Sequence, residues 1–406
     1  MRNQVVVVGA GLAGLAAAAT AAKAGAEVTV LDTRSPGGRA RTDEKEGFRL
    51  NQGPHALYKG GPGRNVLAGL GVRPKGHNPP LRGTRAFMGG DVSHRLLTGR
   101  TSALVTRLVA VDPARWAGRS TRELIDGLGL RPQLASFAEA VVRVTTYVAD
   151  MQRLPADLAL TQLRSGLLRG VSYLDGGWAT LVEGLAAAAM GAGARIRPWT
   201  PAAQIRGEPE AWEVVTGADE MLAAASVVIA AGGPAAVRSL LPMAVDWGEL
   251  GPEVTAACLD LGLRGRPPRF VLGIDEPLYF SPHCPPGDLA PTGHGLVQVL
   301  RYGAREAKVD REELRSFAAT AGVRDENVAI ERFLANMTVT HVLPSPERGL
   351  AGRPSVAVAG AGGLFIAGDW VGPVGWLADA ALVSGAEAGG LAAEFARSQR
   401  PGSRVV

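Results

Sequence analysis

The sequence predicts an α/β protein with one discontinuous domain, in which strands alternate with helices, and a second domain of mixed sheet and helices. Three observations lead to this prediction. A run of valines ends in a glycine-rich turn at residues 5–14, a similar strand with glycines follows at 226–233, and a third strand ends in Gly-Asp at 363–369. Short apolar runs that end in glycines are typical of buried strands followed by tight turns. These segments lie far apart in the 406 residues, so the domain they build must be discontinuous.

The first strand leads into three glycines, Gly9, Gly11 and Gly14, with G-x-G-x-x-G spacing. Gly9 permits a tight turn, Gly11 lets the backbone approach a pyrophosphate, and Gly14 lets the next helix lie against the strand. We expect the free N–H groups at the start of that helix, at Leu12 and Ala13, to face the phosphates.

A second strand, at 27–31, ends in Asp32, which comes 23 residues after Gly9. A carboxylate at this position can accept hydrogen bonds from the ribose hydroxyls of the dinucleotide. Strand, glycine turn, helix, strand and acid therefore predict a Rossmann-like dinucleotide-binding unit.

The next residues, Gly37 to Thr42, read GGRART. This motif resembles the flavoenzyme superfamily of amine oxidases, protoporphyrinogen oxidases and phytoene desaturases. The resemblance implies that the cofactor is FAD and that Gly38 and Arg39 help to hold its pyrophosphate. It also implies that Gly53 and Pro54 lie against the flavin.

The chain departs from the superfamily at two places in this region. Asn51 replaces the usual Asp shortly before Gly53, and Asp32 replaces the usual Glu. Both replacements keep a hydrogen-bonding side chain.

The C-terminal segment resembles the closing FAD motif of the same superfamily. The resemblance implies that Asp369, after Gly368, meets the ribitol and phosphate region of FAD. A long helix opens around Trp376 and Leu377, and its N–H groups would stabilise the negative charge of a reduced flavin. In the middle of the chain, Ala202 corresponds to a strand whose backbone pairs with adenine.

These motifs predict the domain boundaries. The FAD-binding domain should comprise residues 1–60, 171–235 and 345–406, and the substrate domain residues 61–170 and 236–344. Apolar residues at helical spacing predict helices at 122–128, 133–145 and 156–168. Short β-rich runs predict strands at 270–274, 278–281 and 296–300.

Composition excludes several classes of function. A net charge of +5 with 5% aromatic residues is too weak a signal for nucleic-acid binding. The two cysteines, Cys258 and Cys284, form neither a disulfide framework nor a metal motif. Neither cysteine lies near the closing motif, so we expect non-covalent FAD.

The sequence predicts a cytoplasmic protein, since no leader precedes the first strand and no apolar run of spanning length is present. Residues 61–120 are rich in arginine and poor in acidic residues, and apolar residues are interleaved from Leu96 to Val111. A solvated basic surface is the favoured interpretation, and peripheral contact with an anionic membrane is the alternative. The oligomeric state is left open.

His55 is the predicted catalytic side chain, because it follows Gly53-Pro54 and an imidazole can act as a general base near neutral pH. A structural role, or contact with FAD without chemistry, is the alternative. His283 is a weaker candidate, and the other histidines, including His341, receive no role.

Two absences argue against a standard amine oxidase. Amine oxidases of the superfamily place a lysine near the flavin, and here the second part of the substrate domain has only Lys308, in a charged segment. Five tyrosines in the whole chain are few for an aromatic cage.

The sequence therefore predicts an FAD-dependent oxidoreductase that removes a hydride from a mostly apolar, small-to-medium substrate and passes electrons to oxygen or another acceptor. The alternatives are an amine oxidase with an atypical pocket, an FAD-containing isomerase or cyclase without net redox turnover, and an FAD-binding protein without activity.

Overall fold

The computed structural model describes residues 3–399 except 94, 95, 97, 210 and 242. His94 and Arg95 of the basic stretch therefore lie outside the described residues. The strands of the described part are β1 Gln4–Val8, β2 Glu27–Leu31, β3 Thr42–Lys45, β4 Phe48–Asn51, β5 Leu57–Tyr58, β6 Gly76–His77, β7 Arg85–Met88, β8 Asp91–Ser93, β9 Val171–Leu174, β10 Arg195–Arg197, β11 Ala202–Glu208, β12 Ala211–Thr216, β13 Met221–Ala224, β14 Ser226–Ile229, β15 Val254–Arg264, β16 Val271–Gly273, β17 Leu278–Cys284, β18 His294–Tyr302, β19 Val328–Thr340 and β20 Leu364–Ile366. The α-helices are α1 Leu12–Lys23, α2 Gly63–Leu70, α3 Gly99–Ala110, α4 Thr121–Gly127, α5 Pro132–Thr146, α6 Ala156–Arg164, α7 Ala179–Gly191, α8 Pro234–Leu240, α9 Ala304–Ala307, α10 Arg311–Thr320 and α11 Ala378–Ser398.

Five parallel strands form the first sheet, in the order β10-β2-β1-β14-β20. Strand β1 lies in the centre, pairing Val5 with Val28 on one side and with Ser226 on the other. Both faces of this sheet are covered, which is why β1 and β14 read as nearly continuous apolar runs. The carboxyl ends of the strands meet at one edge, where ligands bind in open α/β sheets.

Helices α1 and α11 pack against each other beside this sheet, and small residues make the approach close. A Cβ on Gly385 or Gly389 would overlap the carbonyl oxygens of Ala13 and Ala17 in α1. The alanine-rich sequence of α1 is fully buried at most positions for the same reason. The N-terminal and C-terminal parts of the chain therefore belong to one core.

The second large sheet has seven strands in the order β19-β15-β18-β17-β16-β7-β8, with β16 and β7 parallel and the other pairs antiparallel. Strand β15 is buried on both faces. Alternate residues contact different layers: Ala257 and Leu259 share a core with α10, whereas Ala256 shares a core with α5. Helices α5 and α10 therefore pack on opposite faces of this sheet.

The predicted elements of this second domain differ from the observed ones mainly at their ends. The predicted helix 156–168 ends as α6 at Arg164, and residues Ser165–Arg169 continue it as a π-helical turn before Gly170, whose φ is +77°. The predicted strand 270–274 is shorter, and the strand 296–300 extends to Tyr302. This is the α/β architecture that the sequence predicts, whereas the domain boundaries stay a prediction.

In the described part of the basic stretch, helix α3 buries Leu104 and Leu108 in the core that it shares with α5. These apolar residues are therefore already used by the fold. Among the described helices, none combines the length and the apolar character that crossing a bilayer requires.

Candidate functional site

A cavity of about 1050 Å³ opens at the carboxyl ends of the parallel strands. Residues that end β1, β2 and β14 line one part of it, and residues that follow β20 line another. Strand β19 and the segment around His55 close it from the side of the second sheet. We call the part formed by the turn 9–14, Asp32 and residues 38–39 the glycine end. The part formed by His55, Tyr147, Trp178, Trp376 and Asp379 is the aromatic end.

At the glycine end, the glycines have different tasks. Gly9 has φ +103°, and a Cβ there would lie 2.6 Å from the carbonyl oxygen of Ala230. A Cβ on Gly14 would overlap the carbonyl oxygen of Gly9. Gly11 lines the cavity, and a Cβ there would meet no protein atom within 4 Å. The fold therefore requires Gly9 and Gly14, whereas Gly11 leaves space inside the cavity.

The first helical hydrogen bond of α1 runs from the Leu15 amide to the Gly11 carbonyl at 2.9 Å. The preceding amides, including those of Leu12 and Ala13, have no partner within the helix and lie where the cavity begins. A helix N-terminus with free N–H groups and a partial positive charge suits a pyrophosphate.

The Asp32 carboxylate fixes the same turn. One oxygen accepts a hydrogen bond from the Ala10 amide at 2.6 Å, and the other accepts one from the Arg34 amide at 2.8 Å. Asp32 also lines the cavity. The two backbone hydrogen bonds therefore hold this carboxylate in a fixed position at the cavity.

Arg39 bridges the glycine end to the closing segment. Its guanidinium donates to both oxygens of the Asp369 carboxylate, at 2.7 and 3.1 Å. The backbone N–H of His341 and its ring Nδ1 also contact this carboxylate, each at 2.9 Å. Burial by itself would raise the pKa of Asp369, but the Arg39 guanidinium and His341 hold it well below its usual range. Asp369 is therefore a buried anion.

The start of α11 differs from the expectation. The predicted helix opens around Trp376, but the helix begins at Ala378, since Gly375 has φ +80° and Leu377 has φ +55°. Trp376 is buried and its Nε1 donates to the carbonyl of Thr146 at 2.9 Å. The buried Arg353 donates to the carbonyls of Asp369 and Gly375, each at 2.9 Å, and thereby holds the loop between β20 and α11.

Asp379, in the first turn of α11, is a cavity residue to which the sequence assigned no role. It is buried, and one carboxylate oxygen accepts a hydrogen bond from the Gly63 amide at 3.1 Å. Gly61 and Gly63 make room for it, because a Cβ on either would overlap the carboxylate. No cation within the described residues pairs with it, and burial raises its pKa to about 6. The signal in the sequence that could have identified Asp379 is an acidic residue in the first turn of a helix.

His55 lies at the aromatic end, where its ring is 4.5 Å from that of Trp178. Its Nδ1–H donates to the Gly53 carbonyl at 2.8 Å, which leaves Nε2 as an acceptor. Burial lowers the pKa of His55 to about 4, against the effect of the Gly53 hydrogen bond. The imidazole is therefore neutral at pH 7. Trp178 Nε1 is buried and has no partner among the described residues.

The five tyrosines of the chain lie close to this end, four of them buried and Tyr147 half-buried. Tyr147 lines the cavity and its ring lies 6.4 Å from Tyr279 and 5.9 Å from Tyr302. The Tyr147 hydroxyl is 3.2 Å from both the Pro54 carbonyl and the Tyr279 hydroxyl. Tyr58 lines the cavity, and Tyr173 stacks on His283 at 4.0 Å. Folding thus gathers all five tyrosines in one region, and two of them, Tyr58 and Tyr147, line the cavity.

Most of the predicted site residues line this one cavity. They are Gly9, Gly11, Leu12, Ala13, Asp32, Gly38, Arg39, Pro54, His55, Ala202, Gly368, Asp369, Trp376 and Leu377. Two lie behind its surface: Gly14 packs on the turn, and Gly53 packs on Met337 and supplies the carbonyl that orients His55.

Three residues that the sequence analysis discussed lie away from the cavity. Asn51 accepts hydrogen bonds from the Trp178 amide at 2.9 Å and from Thr42 at 2.8 Å, so its side chain is structural. His283 is buried behind Tyr173. Lys308 is exposed, and no described lysine lines the cavity. Within the described part of the chain, no cluster of three metal-ligating side chains occurs.

Comparison with known proteins agrees with this geometry. Residues 7–70 match the NAD(P)-binding Rossmann-like domain. A segment of 72 residues is 47% identical to a phytoene dehydrogenase of Streptomyces griseus; it covers 18% of this chain and 14% of that enzyme. The chain thus spans only a small part of the length of the curated relatives that it matches.

The likeness to solved structures extends over the whole chain. A cyclohexylamine oxidase of Brevibacterium oxydans superposes with a TM-score of 0.73 at 14% identity, covering 97% of this chain and 99% of that one. An oxidoreductase of Methanosarcina mazei gives a TM-score of 0.72 at 19% identity, covering 94% and 98%. The chain therefore shares the fold of these two proteins over almost its whole length.

Proposed function

We propose that this protein is an FAD-dependent oxidoreductase that removes a hydride from a mostly apolar organic substrate. The observation that carries the proposal is that the N-terminal glycine turn and the C-terminal Gly-Asp segment line one cavity of about 1050 Å³. That volume lies at the upper end of the range of ligand pockets and suits a dinucleotide with a substrate beside it.

The residues at the glycine end fit the FAD phosphates and ribose. Free amides of α1 and the open space at Gly11 would hold the pyrophosphate, and Asp32 would accept hydrogen bonds from the ribose. Cys258 and Cys284 are buried and do not line the cavity, which supports non-covalent binding.

The residues at the aromatic end fit a flat, largely apolar ring system. When bound, FAD would accept a hydride, which carries two electrons, and would pass those electrons to oxygen or another acceptor. Tyr58, Tyr147, Trp178 and Trp376 would orient the substrate and exclude water. The neutral His55 offers Nε2 as a hydrogen-bond acceptor, which suits substrate positioning better than strong base catalysis at pH 7.

One observation favours the amine oxidase alternative. The tyrosine cluster supplies aromatic faces beside the cavity, and aromatic faces attract cationic or amine groups. No described lysine lies there, so such an enzyme would lack the lysine that the superfamily's amine oxidases place near the flavin.

The test begins with the visible spectrum of the purified protein, which should show a bound oxidised flavin. Anaerobic addition of apolar cyclic or polyene compounds, and separately of primary amines, should then bleach the flavin with one of the two classes. Bleaching by amines alone would replace the proposal with the amine oxidase alternative. Product formation without bleaching or acceptor consumption would favour an isomerase or cyclase, and a colourless protein that does not take up FAD would contradict the proposal.

A further inference from the structure

A second pocket, of about 610 Å³, lies on the seven-stranded sheet away from the cofactor cavity. Five arginines line it: Arg85, Arg264, Arg266, Arg269 and Arg324. None of its lining residues is acidic. We call it the arginine pocket.

The arginine pocket is separate from the cofactor cavity. It lies at the end of β15, where Leu263 pairs with Val328 at the start of β19. The cofactor cavity is lined by β19 from Phe333 onward. Five residues of extended strand separate the two points, which is roughly 16 Å.

The charges of the pocket are poorly balanced. The guanidinium groups of Arg85, Arg266 and Arg269 form no ion pair or hydrogen bond with the described residues. Elsewhere in the same domain, Arg301, Arg311 and Arg315 each pair with a glutamate. Like charges without counter-ions in one concave site repel one another and attract anions.

The other two arginines, Arg264 and Arg324, have protein partners. Arg264 donates to the carbonyls of Glu326 and Val328, each at 3.2 Å, so its guanidinium is held in place. Arg324 pairs with Glu326 at 3.2 Å, but both side chains are about 70% exposed, so the pair is weak. Glu326 pairs with Arg324, but no acidic residue lines the pocket, so a clear excess of positive charge remains.

We propose that the arginine pocket binds a small molecule that carries a pyrophosphate or two phosphate groups. Guanidinium groups form paired hydrogen bonds with phosphate oxygens, and several of them favour a ligand with several negative charges. The pocket volume is that of a small-molecule site. Leu263, Pro267, Pro268 and Val323 supply an apolar wall for the body of such a ligand.

Inorganic pyrophosphate is the probe, and calorimetric titration of the FAD-loaded protein is the measurement. FAD bound in the cofactor cavity would block pyrophosphate from that site, so the pyrophosphate that still binds is assigned to the arginine pocket. We expect saturable binding of one pyrophosphate per chain that weakens as salt rises. Pyrophosphate that shows no saturable binding, or binds no better than chloride or sulfate at equal ionic strength, overturns the proposal.

The double variant Arg266→Gln/Arg269→Gln should raise the Kd for pyrophosphate at least about tenfold, equivalent to about 1.4 kcal/mol. Both side chains are exposed, so the fold should be retained, and the charge-preserving Arg266→Lys/Arg269→Lys variant should bind with intermediate affinity. Arg115→Gln/Arg153→Gln removes the same charge from exposed positions elsewhere and should leave the Kd unchanged. An equal loss in this control would mean that net charge alone attracts the ligand.

Vesicles with anionic phospholipid distinguish a membrane surface from a free ligand. Arg-dependent vesicle binding without saturable pyrophosphate binding would replace the proposal with a membrane contact. If the protein carries no FAD, the Arg266→Gln/Arg269→Gln variant still distinguishes pyrophosphate bound in the arginine pocket from pyrophosphate bound in the cofactor cavity. This test therefore does not depend on the proposed enzymatic function.

Discussion

The two ends of the cofactor cavity are built in different ways. The glycine end is made by one continuous stretch, in which the turn 9–14 and Asp32 lie within a single strand-helix-strand unit. The aromatic end is assembled from His55, Tyr147, Trp178 and Asp379, which come from four distant parts of the chain. Local backbone requirements therefore leave a recognisable pattern in the sequence, whereas a surface assembled from distant side chains does not.

The strongest test of the glycine end is Gly11→Val. A Cβ at this position meets no protein atom within 4 Å, and the methyl groups of valine would extend from it into the space expected for the pyrophosphate. We expect FAD affinity to fall at least about 1000-fold, or about 4 kcal/mol, with the fold unchanged. FAD titration followed by fluorescence measures this. The matched control is Gly390→Val, because a Cβ at that position also meets no atom within 4 Å. Undiminished FAD affinity in Gly11→Val would mean that the phosphates bind elsewhere.

At the aromatic end, Asp379→Asn should stabilise the protein at pH 8. The pKa of Asp379 is raised from 3.8 to about 6 in the folded state, so the ionised carboxylate opposes folding above pH 6. Removing that charge should raise the free energy of unfolding by about 3 kcal/mol at pH 8, and the difference should nearly vanish at about pH 2.5, where the carboxyl is protonated in both states. Urea unfolding at the two pH values checks this.

Asp126→Asn, at an exposed carboxylate, serves as the control for Asp379→Asn and should show little change. A loss of stability in Asp379→Asn at pH 8 would mean that the carboxylate is held by a partner beyond the Gly63 amide.

Arg39→Gln tests the link between the two ends of the chain. Asp369 would remain buried with its hydrogen bonds from His341 but without the Arg39 guanidinium, so the free energy of unfolding should fall by about 2 kcal/mol at pH 7. The pKa of Asp369 is depressed in the folded state, so this contribution is present above the unfolded pKa and is lost as the pH falls through the folded pKa. A pH series of thermal unfolding measures the difference, which should shrink in acid.

If the proposed function holds, His55→Ala should lower turnover about tenfold without loss of bound flavin, since one hydrogen-bond acceptor is removed from the part of the cavity where we propose that the substrate binds. Because the pKa of His55 is lowered to about 4, ionisation of His55 should not affect the wild-type rate between pH 6 and 8. His55→Gln keeps an acceptor and should recover part of the rate. A rate that rises through a pKa near 7 and loses that step in His55→Ala would restore the general-base role.

Lys308→Met should have the smallest effect. The side chain is exposed and absent from the cavity lining, so turnover and flavin content should both match the wild type. Steady-state kinetics with the substrate that bleaches the flavin would check this. A large loss of turnover would indicate that Lys308 takes part in the reaction, as expected of an amine oxidase that uses a lysine.

Sequence patterns predicted the α/β fold class because strands buried on both faces and tight glycine turns constrain residue type directly. Strands β1, β2, β14 and β20 follow from such runs. The start of α11 was predicted too early, because the positive φ of Leu377 has no signature in a non-glycine residue. His341 gave no signal at all, since its role depends on Asp369, which lies 28 residues further along the chain.

By itself, the sequence determined the glycine turn, the position of Asp32 and the pairing of a valine-rich strand with an alanine-rich helix, because each depends on residues that are neighbours in the chain. Only the tertiary structure decided that five scattered tyrosines share one region, that Arg39 neutralises Asp369, and that two glycines leave room for the buried Asp379. The physical reason is that burial, ion pairing and cavity shape depend on which distant segments pack together.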